Sequence, residues 1–182
     1  MNSNAPDGNW IQTCTGKTID FENPRTDQIN IIDIAHGLSN VCRFTGQCME
    51  FYSVAQHSLF VMNQVPDEFK LQALLHDATE AYMSDIPSPL KRLCPNYKHY
   101  ELVLWAAIAK KFKLSCEMHE SIKEADRRML ATERKFVFND NMLWGSVDAV
   151  EPYELNIEPW DQKYSEMLFL EAFYAIIQRQ LI

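Results

Sequence analysis

Between Leu74 and Lys91 the chain sets an adjacent His76-Asp77 pair, the carboxylates of Glu80 and Asp85 and the ammonium of Lys91 behind an apolar run, then closes with Pro87 and Pro89. Wound as a helix at about 100° per residue, Leu71, Leu74, Leu75, Ala78, Ala81 and Tyr82 share one arc, while His76, Asp77 and Glu80 fill another. One side would pack and the other would be free for chemistry. Imidazole and carboxylate are both ligands for divalent metals, and Glu80 lies one turn further on, where it could hold a water. A solvated polar face has the same pattern. The decision therefore rests on partner ligands elsewhere in the chain.

The chain of 182 residues suffices for one domain whose core needs neither disulfide nor metal for stability. A net charge of −8 argues against sequence-independent binding to nucleic acid through its phosphates, although a few local cations could still hold a small phosphorylated ligand. The cysteines Cys14, Cys42, Cys48, Cys94 and Cys116 are odd in number and scattered, with no Cys-x-x-Cys pair. That spacing suggests reduced thiols in a cytoplasmic protein, not a disulfide framework or thiolate zinc site. Met1 to Asn9 lacks the basic and apolar regions of a signal peptide, and no apolar run reaches the length of a membrane span.

Trp10 to Phe21 holds β-favouring pieces on either side of Thr15-Gly16 and predicts a small hairpin. Helical spacing follows over Ile29 to Asn40, with Asn30 or Asp33 as caps, and Arg43-Phe44-Thr45-Gly46 reads as a loop or helix end. Ser53 can cap a helix to about Gln64 that is apolar nearly all round and carries His57. Pro66-Asp67-Glu68 opens the helix that holds His76, Asp77 and Glu80, and the prolines after Asp85 end it.

Two long helices are predicted next, over about Asn96 to Lys113, with Leu102, Val103, Ala106, Ala107 and Ile108 inward, and about Cys116 to Phe138. On the second, Ile122, Met129, Leu130, Phe136 and Val137 make the buried face and Asp126 projects from its middle. A carboxylate there costs several kcal/mol unless it is paired or bound to metal, on the order of the usual desolvation penalty. Asn139 to Pro159 reads as irregular, and a last amphipathic helix covers Gln162 to Gln180. The fold class is thus all-α with a small N-terminal β-hairpin. Residues 1–182 form a single domain, with an arm over 1–28, a core over about 29–138 and a C-terminal part over 139–182.

His57, His76-Asp77 and Asp126 can form a four-ligand N/O set from three helices, which leaves positions on an octahedral metal for water and a substrate oxygen. The order of these residues resembles the HD-domain superfamily of metal-dependent phosphohydrolases. Ser53-Val54-Ala55-Gln56-His57-Ser58 resembles the first-His helix of its small 5′-deoxynucleotidases, and His76-Asp77-Ala78-Thr79-Glu80 their His-Asp helix. Asp85-Ile86-Pro87-Ser88-Pro89-Leu90-Lys91 resembles the loop that follows, Lys123-Glu124-Ala125-Asp126 the last-ligand motif, and Arg43 stands where that group has an upstream Arg. The likeness covers about Ile31 to Glu133 and is nearest to the phage and prophage members, which include deoxynucleoside monophosphatases and a dATP triphosphohydrolase.

The resemblance implies an HD-type helical bundle in which His57, His76, Asp77 and Asp126 bind one divalent ion such as cobalt, manganese or zinc. It implies that Glu80 positions or deprotonates the attacking water, that Asp85 contacts the sugar or leaving oxygen, and that Arg43, Lys91 and Lys123 meet phosphates. Lys91 and Lys123 read equally as plain surface charges. Phe44 replaces the Trp that follows the Arg in the deoxynucleotidases, which bears on sugar or base contact, and the interval from His57 to His76 is short. The expected substrate is a free deoxynucleotide, either a monophosphate or a triphosphate cut at the α-phosphorus, with no nucleic acid or membrane partner and a homo-oligomer by analogy. The alternative is a catalytically quiet HD protein that binds a nucleotide or protein as a regulator. His36 and His99 have no motif around them, and His119, two turns before Asp126, is a candidate for a second metal.

Overall fold

A computed structural model describes residues 8–138 and 142–180. The expectations for the first seven residues and for residues 139–141 lie outside the described residues. Strands β1 (Trp10–Gln12) and β2 (Thr18–Asp20) pair antiparallel, with Ile11 opposite Ile19. Their turn places Gly16 at φ 80°, a left-handed conformation that glycine adopts without steric cost. The hairpin is anchored at two points. Ile19 is fully buried, and the buried carboxylate of Asp33 accepts from the Thr15 N–H at 2.9 Å, the Thr15 hydroxyl at 2.8 Å and the Cys14 thiol at 3.1 Å.

Helix α1 (Ile31–Asn40) contains Asp33 and is capped by Asn30, whose side chain accepts from the Ile32 N–H. Ser53 caps α2 (Val54–Asn63) through the Gln56 N–H at 3.1 Å. As its composition predicts, α2 is buried on nearly all sides, through Val54, Ala55, Leu59, Val61 and Met62 and also through Gln56, His57 and Ser58. Helix α7 (Glu120–Val137) packs against α2, and α8 (Gln162–Gln180) lies on α1, α2 and α3 (Lys70–Leu74), burying Phe169 and Phe173. Among the described residues the hairpin is the only sheet, and no helix is long and apolar enough to cross a membrane.

The expected continuous helix through His76 is interrupted. After a 3-10 turn at Asp67–Phe69, α3 ends at Leu74, Leu75 to Thr79 form turns, and α4 (Glu80–Met83) resumes. The His76 ring explains the break. Its Nδ1 lies 2.7 Å from the Ala73 carbonyl, the acceptor that the Asp77 N–H would use in an unbroken helix. The Ala78 and Glu80 N–H groups instead bond three residues back, at 3.0 and 2.9 Å.

That segment ends before the prolines, at Met83, where Ser84 turns to φ 66°, and Pro87 and Pro89 instead start a short α5 (Ser88–Lys91) ahead of α6 (Pro95–Phe112). The buried face of α6 is rotated from the expected one. Leu104, Trp105 and Ile108 are buried, while Leu102 is 58% exposed. On α7 the burial of Ile122, Met129 and Val137 agrees with the periodicity, but Phe136 is 43% exposed. Arg43–Gly46 form a tight turn in which Phe44 and Thr45 hold φ of 53° and 57°, followed by Gly46 at 74°. Helix α1 meets α4 at very close range, for a Cβ built on Gly37 would lie 2.6 Å from the Ala81 carbonyl oxygen.

Candidate metal centre

Three elements bring the expected ligands together. His57 comes from the middle of α2, His76 and Asp77 from the turn after α3, and Asp126 from α7. His57 Nε2 lies 3.1 Å from an Asp126 carboxylate oxygen and 3.7 Å from Asp77, while His76 Nε2 lies 3.2 Å from Asp77 and 3.9 Å from the same Asp126 oxygen. Donor atoms of His57, His76 and Asp126 fall within 4.8 Å of one another and could hold a metal ion. Both Nε2 atoms are buried and make no hydrogen bond. Buried polar atoms are normally satisfied, so two orphans aimed at the same two carboxylates fit a cation between them.

Each imidazole is oriented by its other nitrogen. His76 Nδ1–H donates to the Ala73 carbonyl, and His57 Nδ1–H donates to Glu133 Oε1 at 2.6 Å. A carbonyl or carboxylate can only accept, so both Nε2 atoms are turned to the centre. Burial disfavours charge on His76, but the Asp77 and Asp126 carboxylates outweigh it and push its pKa up to about 9. Burial likewise opposes ionisation of Asp77, yet His76, His57 and Arg43 hold its pKa far below the ordinary range. The two carboxylates thus favour positive charge, a proton or a metal ion, at His76 Nε2.

Glu133 belongs to none of the sequence motifs. It is fully buried on α7, accepts from Tyr52 Oη at 2.8 Å and from Arg43 Nε at 3.1 Å as well as from His57, and so links three elements. Burial works against its charge, and the Arg43 guanidinium and His57 restore it. The signal was in the sequence, since position 133 is seven residues beyond Asp126 and repeats its helix face.

The remaining expected residues surround this core. Arg43 is buried, with Nη2 3.1 Å from Glu133 and Nη1 3.7 Å from Asp77, and its guanidinium stands 5.2 Å from the Phe44 ring centre. Phe44 itself packs edge-on against Phe138 and Trp144. Glu80 is buried. One of its oxygens lies 3.3 Å from Lys91 Nζ and the other has no partner. Desolvation first, then the Asp77 and Asp85 carboxylates, raise its pKa well above the usual range against the pull of Lys91 and Arg43. Lys91 also bonds Glu101 at 2.8 Å.

Asp85 follows Ser84, which holds φ 66° and ψ 158° and whose carbonyl accepts from Tyr97 Oη at 2.9 Å. Lys123 is exposed beside Glu120 at 3.3 Å. His119 is not on α7 but caps it, its Nδ1 accepting from the Ser121 N–H at 3.2 Å while its ring stacks on Phe69. That capping bond replaces the expected position two turns along the helix. A cavity of about 340 Å³ opens beside the centre, with His76, Asp77 and Asp126 at its edge.

Fold and site together define a mainly helical protein, with one small hairpin, whose His-carboxylate centre opens on a cavity. No family profile matches the chain. It is 43% identical over 166 residues, 90% of its own length and 93% of the relative's, to the uncharacterized protein YfdR of Escherichia coli (strain K12). A second uncharacterized protein, from Rhodobacter capsulatus, is 35% identical over 126 residues, 64% of each chain. The chain belongs to the YfdR family.

Proposed function

We propose that this protein is a metal-dependent phosphohydrolase of the HD class that acts on free deoxynucleotides. One observation carries the reading: the unpartnered Nε2 atoms of His57 and His76 converge with Asp77 and Asp126 at the edge of a cavity, with the orphan oxygen of Glu80 on the adjoining turn. His57, His76, Asp77 and Asp126 would hold one divalent ion of the cobalt, manganese or zinc class. Such an ion activates water at neutral pH and neutralises charge that develops on a phosphoryl group.

The protein's own groups do the rest. Glu80, with one oxygen balanced by Lys91 at 3.3 Å and the other without a partner, would in its ionised form be the base that takes a proton from the attacking water. Lys91 balances Glu80 and, with Lys123, offers cations to phosphate oxygens. Arg43 keeps Asp77 and Glu133 charged and in place, and Asp85, two residues past the end of α4, would meet the sugar or leaving oxygen. The products would be a deoxynucleoside with either phosphate or triphosphate, because attack at the α-phosphorus serves both substrates. On the same reading the protein works in the cytoplasm, as its scattered cysteines suggest, and as a homo-oligomer, as the resemblance implies.

The test is metal analysis of the purified protein and product analysis with the four dNMPs and four dNTPs across several divalent metals. The expected result is bound metal and release of phosphate or triphosphate, both lost in His76→Ala and Asp77→Ala. A wild type that holds no divalent metal and releases neither product would sink the enzyme reading. Nucleotide binding without turnover would instead support a regulator.

A further inference from the structure

The cavity beside the centre is asymmetric in chemistry. Leu102, Trp105, Met118 and Ile122, from α6, α7 and the loop between them, make an apolar wall, and Glu101 and Lys123 are its polar edges. The wall is fixed, because the Trp105 indole N–H donates to the Cys116 carbonyl at 2.9 Å. Its volume of about 340 Å³ falls in the range of small-molecule sites, roughly 300–1,000 Å³. Neither Arg43 nor Phe44 lines it, and both are engaged elsewhere, with Glu133 and Asp77 and with Phe138 and Trp144.

Resting on the phosphohydrolase reading, we infer that the cavity between α6 and α7 seats the uncharged nucleoside part of the substrate, with the phosphates kept out of it. Lys123, the one Lys or Arg among the lining residues, stands at the exposed edge where a phosphate at the centre can reach it, and the Glu101 carboxylate, held by Lys91 at 2.8 Å, can still accept from an N–H or O–H of a base or sugar. The exposed Leu102 is explained in the same way. An apolar side chain more than half exposed at the rim of an apolar wall is a contact for a ligand ring.

The test fills the cavity with Leu102→Trp and, separately, Cys116→Trp, both exposed positions that carry no ligand of the centre. The KM for the best deoxynucleotide is expected to rise at least tenfold in both. Bound metal and the inhibition constant of inorganic phosphate, which needs only the centre, should stay within about twofold. An unchanged KM in both variants overturns the assignment. If the wild type turns over no deoxynucleotide, the enzyme reading fails separately, and equilibrium dialysis with free deoxynucleosides decides the cavity. Binding weakened tenfold by Leu102→Trp supports it, and no binding to the wild type at millimolar concentration overturns it.

Discussion

The His57 Nδ1 atom lies 2.6 Å from Glu133 Oε1, and neither side chain is exposed to solvent. This contact fixes which nitrogen of the ring faces Asp77 and Asp126. It also makes Glu133 a positioning residue that never touches the centre itself. Replacement by Gln keeps the shape and an acceptor but removes the charge that faces Arg43 and His57. Loss of such an outer carboxylate lowers metal affinity by about 10–100-fold. Glu133→Gln should therefore retain its circular-dichroism spectrum while competition with a chelator indicator shows affinity reduced by that factor. Glu133→Ala should be worse, because it leaves the buried Arg43 short of a partner at a cost of about 3–5 kcal/mol. Equal metal affinity in Glu133→Gln and wild type would rule out the positioning role.

Gly37 and Ala81 test how tightly the site's scaffold is set. Mid-helix Gly→Ala normally gains up to about 1 kcal/mol from propensity. Here the added methyl would meet Ala81 backbone at 2.6 and 2.8 Å, and backbone cannot swing aside. Overpacking of this kind costs about 1–3 kcal/mol. Gly37→Ala should lower the urea midpoint, and because Ala81 adjoins Glu80, it should lower turnover as well. A variant more stable than wild type would show that α1 and α4 are not locked together.

The α1, α2 and α8 helices were legible because each rests on a local signal: the Asn30 and Ser53 caps and an uninterrupted pattern from Gln162 to Gln180. The ligands were legible for a different reason. His57, on a helix apolar nearly all round, demands a partner, and the structure sets it 3.1 Å from Asp126, whose own side chain is 46% exposed and so is drawn in by the histidine and not by burial. Glu133, two turns further along α7, is the carboxylate that burial does force to find partners, and no motif surrounds it. The break at Leu75 to Thr79 was not legible, since it depends on the His76 ring capturing a carbonyl, which no hydrophobic period encodes. The rotation of α6 was hidden for a related reason. Leu102 faces a cavity and not the core, and periodicity cannot tell the two apart.

Asp33 gives the fold an acid-sensitive latch away from the centre. Burial alone would raise its pKa, but hydrogen bonds from Cys14 and Thr15 outweigh burial and lower it below the ordinary value. A carboxyl whose folded pKa is depressed adds stability that is complete above its unfolded pKa of about 3.9 and is lost as pH falls through the folded value. Wild type should therefore lose stability on acidification below about pH 4 more steeply than Asp33→Asn, which lacks the titration. At pH 7 the Asn variant should be less stable by about 1–3 kcal/mol, since it offers weaker acceptors to the buried donors. Chemical denaturation at pH 7 and pH 3 measures both. Parallel pH profiles for the two proteins would remove Asp33 as the latch.

Ser84 sits between Glu80 and Asp85 with φ 66° and ψ 158°, a region that almost only glycine occupies. The strain is held by the Tyr97 hydroxyl, which donates to the Ser84 carbonyl at 2.9 Å. Strain of this type costs on the order of 1–3 kcal/mol. Glycine relieves it but adds about 0.4–1 kcal/mol of unfolded-state entropy to be lost on folding. The balance favours Ser84→Gly by up to about 2 kcal/mol, visible as a raised melting temperature. Activity should move the other way, because a freer backbone at position 84 no longer holds Asp85 in one place beside Glu80. Tyr97→Phe should lower both stability and turnover, because it removes the donor that pins the turn. A less stable Ser84→Gly would show that the serine conformation is not strained.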